Sequence, residues 1–534
     1  MADRPWLAHY PAEVPARLSY PEVPLYAFLS RSASRRAAMI FFGRRTSYDQ
    51  LWRQALTLAA SLRRRGIRPG DRIATALPNC PQAAVAFFGI LAAGAVAVPC
   101  NPLYTERELA FQLKDSGARG VIALDLLRQR IEAARGDVEW VAYASIGEAL
   151  PAHLATLQRM RERPKPIPRG ERFAELLNGS PEPPTPAAPD SLAVLQYTGG
   201  TTGTSKGCML THANLVANMV QGQAWLYRTR PGKEVILAVL PLFHVYGLSS
   251  VLNYGVASGA TLVMVPRLDY AQLVSMIKRY RPSMFPGAPT IYAGLIRYLE
   301  QHPTKLPRME AGISGSAPLA ADTQSRFEHL SGINLVEGYG LSEASPVTHC
   351  NPVWGGRRAG SIGLPWPDTD ARIIDPDTGA EAAMGEVGEL CVRGPQVMRG
   401  YWRRPEETAD VLSTDGWLRT GDLARMDDDG FFYIVGRRKD LIIASGYNIY
   451  PREVEEVLLS HPGVDDAAVV GVADPYRGET VKAFIVGKAT PEELDAFCRQ
   501  RLAVYKVPKQ YEFRDSLPRS AVGKVLYRVL RDES

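Results

Sequence analysis

Cysteine is scarce in this sequence and is not arranged for metal binding or cross-linking. The six cysteines lie far apart along 534 residues and form no C-x-x-C pair. They are Cys80, Cys100, Cys208, Cys350, Cys391 and Cys498. We therefore expect neither a disulfide framework nor a zinc site, and free thiols of this kind indicate a reducing cytosol.

A secretory leader and a long apolar run are also lacking. The first residues, Met-Ala-Asp-Arg-Pro-Trp, do not show the charged-then-apolar order of a signal peptide. The uncharged run from Ala83 to Val98 has 16 residues, which is shorter than the roughly 20 of a membrane-spanning helix. A buried helix that ends near Gly94, followed by a strand, explains this run better. We expect a cytoplasmic protein.

Strong charge of one sign is missing as well. The formal net charge is only +6, and charged residues make up 22% of the chain. Nucleic-acid-binding domains carry a denser basic footprint, so we expect no nucleic-acid partner. A mild positive charge fits anionic small molecules. Peripheral contact with an anionic membrane and assembly into a homodimer stay open.

The chain has no P-loop, although one segment has the composition of a phosphate-binding loop. The segment from Tyr197 to Gly207 contains four glycines, several hydroxyls and one lysine, Lys206, after an apolar strand-like run. Glycines permit close backbone approach, and hydroxyls with an ammonium suit a polyphosphate. The pattern G-x-x-x-x-G-K-[ST] fails because Ser205 replaces the second glycine and Gly207 replaces the final hydroxyl. This argues against a P-loop NTPase.

The order of apolar segments predicts an α/β fold with doubly wound parallel sheets. Apolar strands alternate with helical patterns from residue 47 to about 316, as in parallel sheets covered by helices. The predicted helices are 47–66, 81–93, 106–116, 269–280 and segments that begin near 213, 247 and 289. The predicted strands are 71–76, 95–98, 120–124, 192–197, 235–240, 261–265 and 283–285. Residues 161–190 are interpreted as a surface linker.

The pattern changes twice toward the C-terminus. Residues 358–434 contain short alternating runs separated by Asp-Gly and Pro-Asp turns, which predict a β-rich subdomain. Beyond Gly436, a helix from Pro451, strands at 467–472 and 482–486 and a helix at 491–503 predict a compact α+β domain. We expect a large N-terminal domain of residues 1–436 and a small C-terminal domain of residues 437–534.

Several polar side chains follow apolar runs or lie in glycine-bearing turns. His244 lies between aromatic residues, where it orients a carboxylate or simply packs in the core. Tyr339 suits stacking on a base, and Glu343 suits a magnesium ion beside phosphates. Asp422 suits a ribose or an ordinary Asx turn. Lys524 lies in a glycine-bearing loop, where a surface charge is the ordinary interpretation.

The segment from Gly312 to Pro318 is rich in small residues. It approaches the nucleophile-elbow pattern G-x-S-x-G, but Ser316 stands where the last glycine is required. A backbone platform against a flat ring is the better interpretation of such small residues.

In this order and spacing, these segments resemble the core motifs of the adenylate-forming superfamily, which includes acyl-CoA synthetases, luciferases and peptide-synthetase adenylation domains. The resemblance covers about residues 47 to 530. It extends to Gly388-Glu389-Leu390, to Arg393-Gly394-Pro395 and to the run from Gly436 to Pro451. The chain looks most like the medium- or long-chain acyl-CoA synthetases. The resemblance implies that ATP, Mg²⁺, coenzyme A and a small-molecule acid bind here.

The resemblance also assigns roles to individual residues. The implied ATP-binding residues are Thr198, Gly199, Gly200, Thr201, Thr202, Gly203, Lys206, Gly315, Ser316, Ala317, Pro318, Glu337, Gly338, Tyr339, Gly340, Asp422, Arg437, Asn448 and Lys524. The implied catalytic residues are Lys524, Glu343, Ser342 and His244, and Thr198 and Glu343 would lie near Mg²⁺. Ser445 and Gly446 would line the approach of the thiol. Lys439 matches the hinge of a mobile C-terminal domain, and Ser342 departs from the usual threonine but keeps the hydroxyl.

The identity of the acid is the least determined part of the hypothesis. Amino-acid-activating members usually offer an aspartate soon after the aromatic motif, and Phe243 to Ser250 contains none. A fatty acid is therefore favoured. An aryl-acid CoA ligase and an acyl-AMP ligase that loads a carrier protein are the alternatives. A non-catalytic nucleotide-binding protein is disfavoured because Lys524, Glu343 and Asp422 occur together.

Overall fold

Alternating apolar strands and helices build layered sheets that meet around one large cleft. The computed structural model describes residues 4–162, 171–198, 205–444, 447–474, 477–520 and 523–534. Across these ranges, 24 strands form four sheets of six, nine, four and five strands. The predicted mixed α/β class, with a β-rich subdomain and a C-terminal α+β domain, is confirmed.

The strands are β1 Ala37–Phe41, β2 Arg44–Ser47, β3 Arg72–Ala76, β4 Val96–Pro99, β5 Ala118–Leu124, β6 Trp140–Ala144, β7 Leu192–Thr198, β8 Lys206–Thr211, β9 Val235–Ala238, β10 Thr261–Met264, β11 Met284–Gly287, β12 Ala311–Ser314, β13 Leu335–Gly340, β14 Val347–Cys350, β15 Leu364–Pro365, β16 Asp370–Ile374, β17 Gly388–Arg393, β18 Leu418–Met426, β19 Phe432–Arg437, β20 Ile442–Ala444, β21 Tyr447–Ile449, β22 Val464–Asp474, β23 Gly478–Gly487 and β24 Gln510–Phe513. The α-helices are α1 Tyr26–Ser32, α2 Tyr48–Arg64, α3 Pro81–Ala92, α4 Glu106–Ser116, α5 Arg128–Ala134, α6 Ile146–Ala149, α7 Ala152–Glu162, α8 Phe173–Leu176, α9 His212–Trp225, α10 Tyr254–Ala257, α11 Tyr270–Tyr280, α12 Pro289–Gln301, α13 Ala321–Ser331, α14 Pro405–Val411, α15 Pro451–Leu459, α16 Pro491–Arg499 and α17 Tyr527–Asp532.

Two largely parallel sheets form the body of the molecule. The six-stranded sheet has the order β6-β5-β3-β4-β7-β8, and the nine-stranded sheet has the order β15-β14-β13-β12-β11-β9-β10-β1-β2. Their inner strands are parallel, whereas β8, β2, β14 and β15 are antiparallel to their neighbours. Buried parallel strands need apolar side chains on both faces, as the runs of Val, Ile, Leu and Ala provide.

The apolar run from Ala83 to Val98 folds as predicted. It forms the buried helix α3 and then the buried strand β4. Gly89 permits α3 to pack closely on α2, because a Cβ there would lie 2.6 Å from Leu58. In the described part of the chain, no helix combines the length and the apolarity needed to cross a bilayer.

Two smaller sheets complete the molecule. The four-stranded sheet β16-β17-β18-β19 is antiparallel and corresponds to the predicted β-rich subdomain. The five-stranded sheet pairs β21, β20, β23 and β22 in antiparallel fashion, with β24 parallel to β23. Helices α15 and α16 pack with this sheet around a core that contains Val454, Leu458 and Leu494.

The structure differs from the predicted elements in several places. Phe173 and Leu176 are buried in α8, so part of residues 161–190 packs on the core, while residues 163–170 lie outside the described ranges. The helix predicted from residue 247 begins as a π-helix, Gly247–Asn253, before α10. Strands β1, β2 and β6 were not predicted, since their short runs lack a distinctive flanking pattern.

Candidate functional site

A single large cavity brings most of the predicted site residues together. Its volume is about 2160 Å³, and its walls come from both parallel sheets, the four-stranded sheet and the C-terminal domain. The predicted residues that line it are Thr198, Lys206, His244, Gly315, Ser316, Ala317, Pro318, Glu337, Gly338, Tyr339, Gly340, Ser342, Glu343, Asp422, Arg437, Lys439 and Lys524. Ligands of open α/β sheets bind at the carboxyl ends of strands, and β7, β12 and β13 end at this cavity.

Of the remaining predicted residues, only Asn448 is described. Asn448 is exposed on β21 and is not part of the lining. Seven others lie outside the described residues. These are Gly199, Gly200, Thr201, Thr202, Gly203, Ser445 and Gly446.

Asp422 is held between an aromatic hydroxyl and a guanidinium. The Tyr339 hydroxyl donates a 2.6 Å hydrogen bond to Oδ2 of Asp422, and Nε of Arg437 lies 3.1 Å from Oδ1. The carboxylate charge raises the pKa of Arg437, and burial with the nearby carboxylate raises the pKa of Tyr339 well above its usual value. Gly421 precedes Asp422 within β18 at a φ of 72°, which explains the glycine at this point of the strand. Asp422 is thus a buried, fixed hydrogen-bond acceptor beside a ring.

Small residues shape another part of the cavity wall. A Cβ on Gly340 would lie 2.2 Å from the Pro346 carbonyl, and a Cβ on Gly315 would lie 2.9 Å from the Tyr246 ring. Ser316 has a φ of 72°, so the chain turns sharply as it leaves β12. The flat backbone platform predicted for Gly312 to Pro318 is consistent with this geometry.

Glu343 lies in a short 3-10 turn, Ser342–Ala344, after β13. The Met398 backbone N–H donates a 2.8 Å hydrogen bond to the Glu343 carbonyl, and the Tyr401 hydroxyl donates a 2.8 Å hydrogen bond to Oε1. Sequence reasoning missed Tyr401, which also lines the cavity. The one sequence feature that could have indicated Tyr401 is its position six residues after the Gly394-Pro395 pair.

The described residues do not form a cluster of protein ligands for a metal ion. No group of three or more His, Cys, Asp or Glu side chains converges within these ranges. Magnesium in nucleotide sites usually takes one or two carboxylates, with water and substrate phosphates as the other ligands. Glu343 and the Thr198 hydroxyl, which both line the cavity, fit that donor set.

Lys524 enters the cavity on a tightly bonded loop. The backbones of Ser520 and Lys524 pair, with a Ser520 N–H to Lys524 carbonyl distance of 2.8 Å. Arg519 donates a 2.6 Å hydrogen bond to the Gly523 carbonyl and pairs with Asp466 at 2.6 Å. A Cβ on Gly523 would lie 2.3 Å from Oγ1 of Thr290, so this loop packs directly on the body of the molecule.

The charge state of Lys524 is perturbed by its surroundings. Burial, followed by the positive charge of Arg437, lowers the pKa of Lys524 to about 8, against the opposing effects of Asp422 and Asp440. Burial and the Lys524 charge lower the pKa of His244 to about 4, so His244 is neutral near pH 7. Neutral His244 and charged Lys524 therefore face the same space. Perturbed groups of this kind concentrate at functional sites.

Glu337 is a buried carboxyl group at the platform. It is 5% exposed, and its Oε2 atom has no hydrogen-bond partner. Burial raises its pKa to about 7, although Arg452 of α15 acts in the opposite direction. Such a buried polar atom at a cavity wall is available for a hydrogen bond with a ligand.

One part of the cavity wall is apolar and aromatic. Trp225, Tyr254 and Trp366 line it, and each is less than 9% exposed. Gly222 also lines it, and a Cβ there would lie 3.3 Å from Trp366 and 3.5 Å from Tyr254. This region is suited to a hydrophobic group attached to whatever reacts near Lys524.

The fold and this site define a nucleotide-dependent adenylating enzyme, and comparison with known families agrees. The chain belongs to the AMP-binding enzyme family, whose model matches residues 28–402, and the model of the AMP-binding enzyme C-terminal domain matches residues 453–524.

Individual relatives are similar over almost the whole chain. A long-chain-fatty-acid–CoA ligase of Bacillus subtilis (strain 168) is 46% identical, with 100% of this chain and 98% of the relative covered. A feruloyl-CoA synthase of an Amycolatopsis species is 38% identical, with 93% and 96% covered. The crystal structure of ATP-bound MatB from Rhodopseudomonas palustris superposes with a TM-score of 0.86 at 31% identity, covering 96% of this chain and 99% of that chain.

Proposed function

We propose that this protein is an AMP-forming ligase that activates a long-chain fatty acid with ATP and transfers the acyl group to coenzyme A. One observation carries the proposal: Lys524, Asp422, Tyr339 and Glu343 line one cavity that also has an apolar, aromatic wall. The similarity to long-chain-fatty-acid–CoA ligases supports the choice of acid.

In the first step the fatty-acid carboxylate attacks the α-phosphorus of ATP and pyrophosphate leaves. Asp422 accepts hydrogen bonds from the ribose, and Tyr339 with the Gly315 to Pro318 platform encloses the adenine. Lys524 bridges the acid carboxylate and the α-phosphate, where it neutralises developing charge. Neutral His244 lines the same space and orients the carboxylate. Because the reaction needs positioning rather than a protein nucleophile, no catalytic triad is required.

The leaving phosphates are held at the other side of the cavity. Lys206 and the loop that begins at Thr198 bind the β- and γ-phosphates, and Ser342 contacts the α-phosphate. Glu343 and the Thr198 hydroxyl would hold Mg²⁺ with these phosphates, and the charge neutralisation that the ion supplies favours the departure of pyrophosphate.

In the second step the thiol of coenzyme A attacks the acyl-adenylate and AMP leaves. The part of the C-terminal domain that follows the hinge at Lys439 rotates, which withdraws Lys524 and presents Ser445 and Gly446 to the thiol. The position of Lys524 on the cavity wall supports the proposal that the C-terminal domain takes the adenylating orientation in the described arrangement.

A panel of acids with ATP and coenzyme A, read out as AMP release, tests this function. We expect turnover with long-chain saturated acids and acid-dependent exchange between ATP and pyrophosphate. An aryl-acid ligase is the second candidate. The 38% identity to a feruloyl-CoA synthase and the aromatic walls at Trp225 and Trp366 favour it. Turnover with ferulate in the same panel tests this candidate. Nucleotide binding without exchange for any acid would identify a non-catalytic protein.

A further inference from the structure

Tyr401 contacts two charged side chains that line the cavity from different parts of the chain. Its hydroxyl donates a 2.8 Å hydrogen bond to Oε1 of Glu343, and Nζ of Lys206 lies 5.1 Å from the centroid of its ring. Tyr401 is itself 8% exposed. A cation over an aromatic face and a phenol on a carboxylate are both attractive contacts.

The backbone around Tyr401 fixes the ring between those two groups. Residues 398–402 run along the edge of β8, where the Trp402 N–H bonds the Gly207 carbonyl at 2.8 Å and the Met209 N–H bonds the Gly400 carbonyl at 2.9 Å. The same segment reaches the turn of Glu343 through the 2.8 Å bond from the Met398 N–H. The backbone that carries Tyr401 is therefore fixed relative to the segments that carry both neighbours.

The partners of Tyr401 distinguish it from a tyrosine that is merely satisfied in a core. A buried tyrosine hydroxyl needs some acceptor, and a backbone carbonyl serves for Tyr292 and Tyr246. Tyr401 instead uses a carboxylate on the cavity wall. The hydroxyl occupies one of the several lone-pair positions of that carboxylate and leaves the others for a ligand.

We propose that Tyr401 is a positioning residue that sets the Glu343 carboxylate and the Lys206 ammonium at a fixed separation before ATP arrives. The proposal rests on the proposed function, in which these two groups bind the metal ion and the phosphates of ATP. Groups held in place before binding lose less conformational entropy when the ligand arrives. The hydroxyl positions the Glu343 carboxylate through its hydrogen bond, whereas the ring positions the Lys206 ammonium through the cation–π contact.

Two substitutions separate these contributions. Tyr401→Phe removes the hydroxyl but keeps the ring under Lys206, so we expect about tenfold weaker ATP binding in the presence of Mg²⁺, as for the loss of a hydrogen bond to a charged group. Binding of ATP in EDTA is expected to be unchanged. Tyr401→Ala removes both contacts and is expected to weaken binding in both conditions. Isothermal titration of the full-length protein with ATP measures all four affinities.

Tyr143→Phe is a matched control. The Tyr143 hydroxyl donates a 2.7 Å hydrogen bond to Oε1 of Glu132, and neither residue lines the cavity. This variant is expected to bind ATP like the wild type with and without Mg²⁺. The thermal unfolding midpoint of each variant separates loss of fold from loss of binding.

The dependence on Glu343 gives a second, independent test. In a Glu343→Ala background, Tyr401→Phe is expected to produce no further loss, because the acceptor of its hydroxyl is gone. Any of three results would overturn the proposal. They are wild-type affinity of Tyr401→Phe for ATP with Mg²⁺, an equal loss of affinity in EDTA, and an undiminished loss of affinity in the Glu343→Ala background. Failure of the wild type itself to bind ATP would instead overturn the proposed function.

Discussion

The Tyr339 hydroxyl donates a 2.6 Å hydrogen bond to Asp422, although 83 residues separate the two in sequence. Tyr339 is the penultimate residue of β13 in the nine-stranded sheet, whereas Asp422 belongs to β18 of the four-stranded sheet. The bond therefore joins two sheets at the point where the proposed nucleoside would lie. Through this bond, Tyr339, which is proposed to stack on the adenine, contacts Asp422, which is proposed to bind the ribose.

Tyr339→Phe is expected to weaken ATP binding about tenfold, since a hydrogen bond to a carboxylate usually contributes about 1.5–3 kcal/mol. The ring stays in place, so stacking on the base is retained. Isothermal titration with ATP measures the change. Tyr433→Phe is the control, because its hydroxyl bonds Asp427 at 3.0 Å and Tyr433 does not line the cavity. Equal losses in the two variants would contradict the assignment of Asp422 to the nucleotide.

Lys524→Ala is expected to slow adenylation by roughly 10² or more, as the removal of a charge-stabilising donor typically does. Thioester formation from supplied acyl-adenylate is expected to continue, because Lys524 acts only in the first step. ATP–pyrophosphate exchange measures adenylation, and thioester release from supplied acyl-adenylate measures the second half-reaction. Lys509→Ala, at an exposed position of the same domain, is the control. Equal loss in both half-reactions would refute the role of Lys524.

The lowered pKa of Lys524, about 8, predicts a pH limit on adenylation. The ammonium form is the active one and predominates below this pKa, so adenylation is expected to fall as the pH rises through about 8. Lys524→Arg is expected to retain some activity and to lose this alkaline decline, because a guanidinium stays charged over the whole range. Pyrophosphate exchange between pH 6 and 10 measures both profiles.

Gly340→Ala is expected to destabilise the protein by about 1–3 kcal/mol, as overpacking in a tight space usually does. The new methyl group would lie 2.2 Å from the Pro346 carbonyl, and the strain would displace the turn that carries Ser342. The free energy of unfolding in urea measures the destabilisation. The rate of ATP–pyrophosphate exchange measures the effect of displacing the turn. Gly356→Ala is the control, since nothing lies within 4 Å of its added Cβ.

Glu455 predicts a pH-dependent loss of stability. Burial raises its pKa to about 7, although the Val469 N–H and the Tyr527 hydroxyl both bond to the carboxyl group. The folded state therefore holds a proton that the unfolded state loses near pH 4.5, so stability falls as the pH rises from about 4.5 to 7. Glu455→Gln is expected to reduce this slope, measured as the free energy of unfolding at several pH values.

The control for Glu455→Gln is Glu492→Gln, because Glu492 is exposed at the start of α16 in the same domain. It is expected to leave the slope unchanged. Glu337, whose pKa burial also raises to about 7, contributes a slope of the same sign, so some pH dependence is expected to persist in Glu455→Gln. An unaltered slope in Glu455→Gln would contradict the buried, protonated state.

Residues with local sequence patterns were predictable, whereas residues defined by long-range contacts were not. Lys524, Asp422 and Glu343 lie in distinctive glycine-bearing motifs, and the structure brings all three to the cavity. Tyr401 meets Glu343 across 58 residues, and no local pattern marks that pairing. Phe173 was missed for a related reason. A buried side chain in a Pro- and Arg-rich segment is recognisable only once its neighbours are placed.

The position of Asp422 and Arg437 has a consequence for the order in which products leave. Both residues precede Lys439 in sequence, so a rotation about Lys439 carries Lys524 away but leaves the 3.1 Å pair of Asp422 and Arg437 with the body of the molecule. AMP, held through its ribose, then stays in place while the thioester departs. We therefore expect AMP to be the last product released and to compete with ATP for the free enzyme.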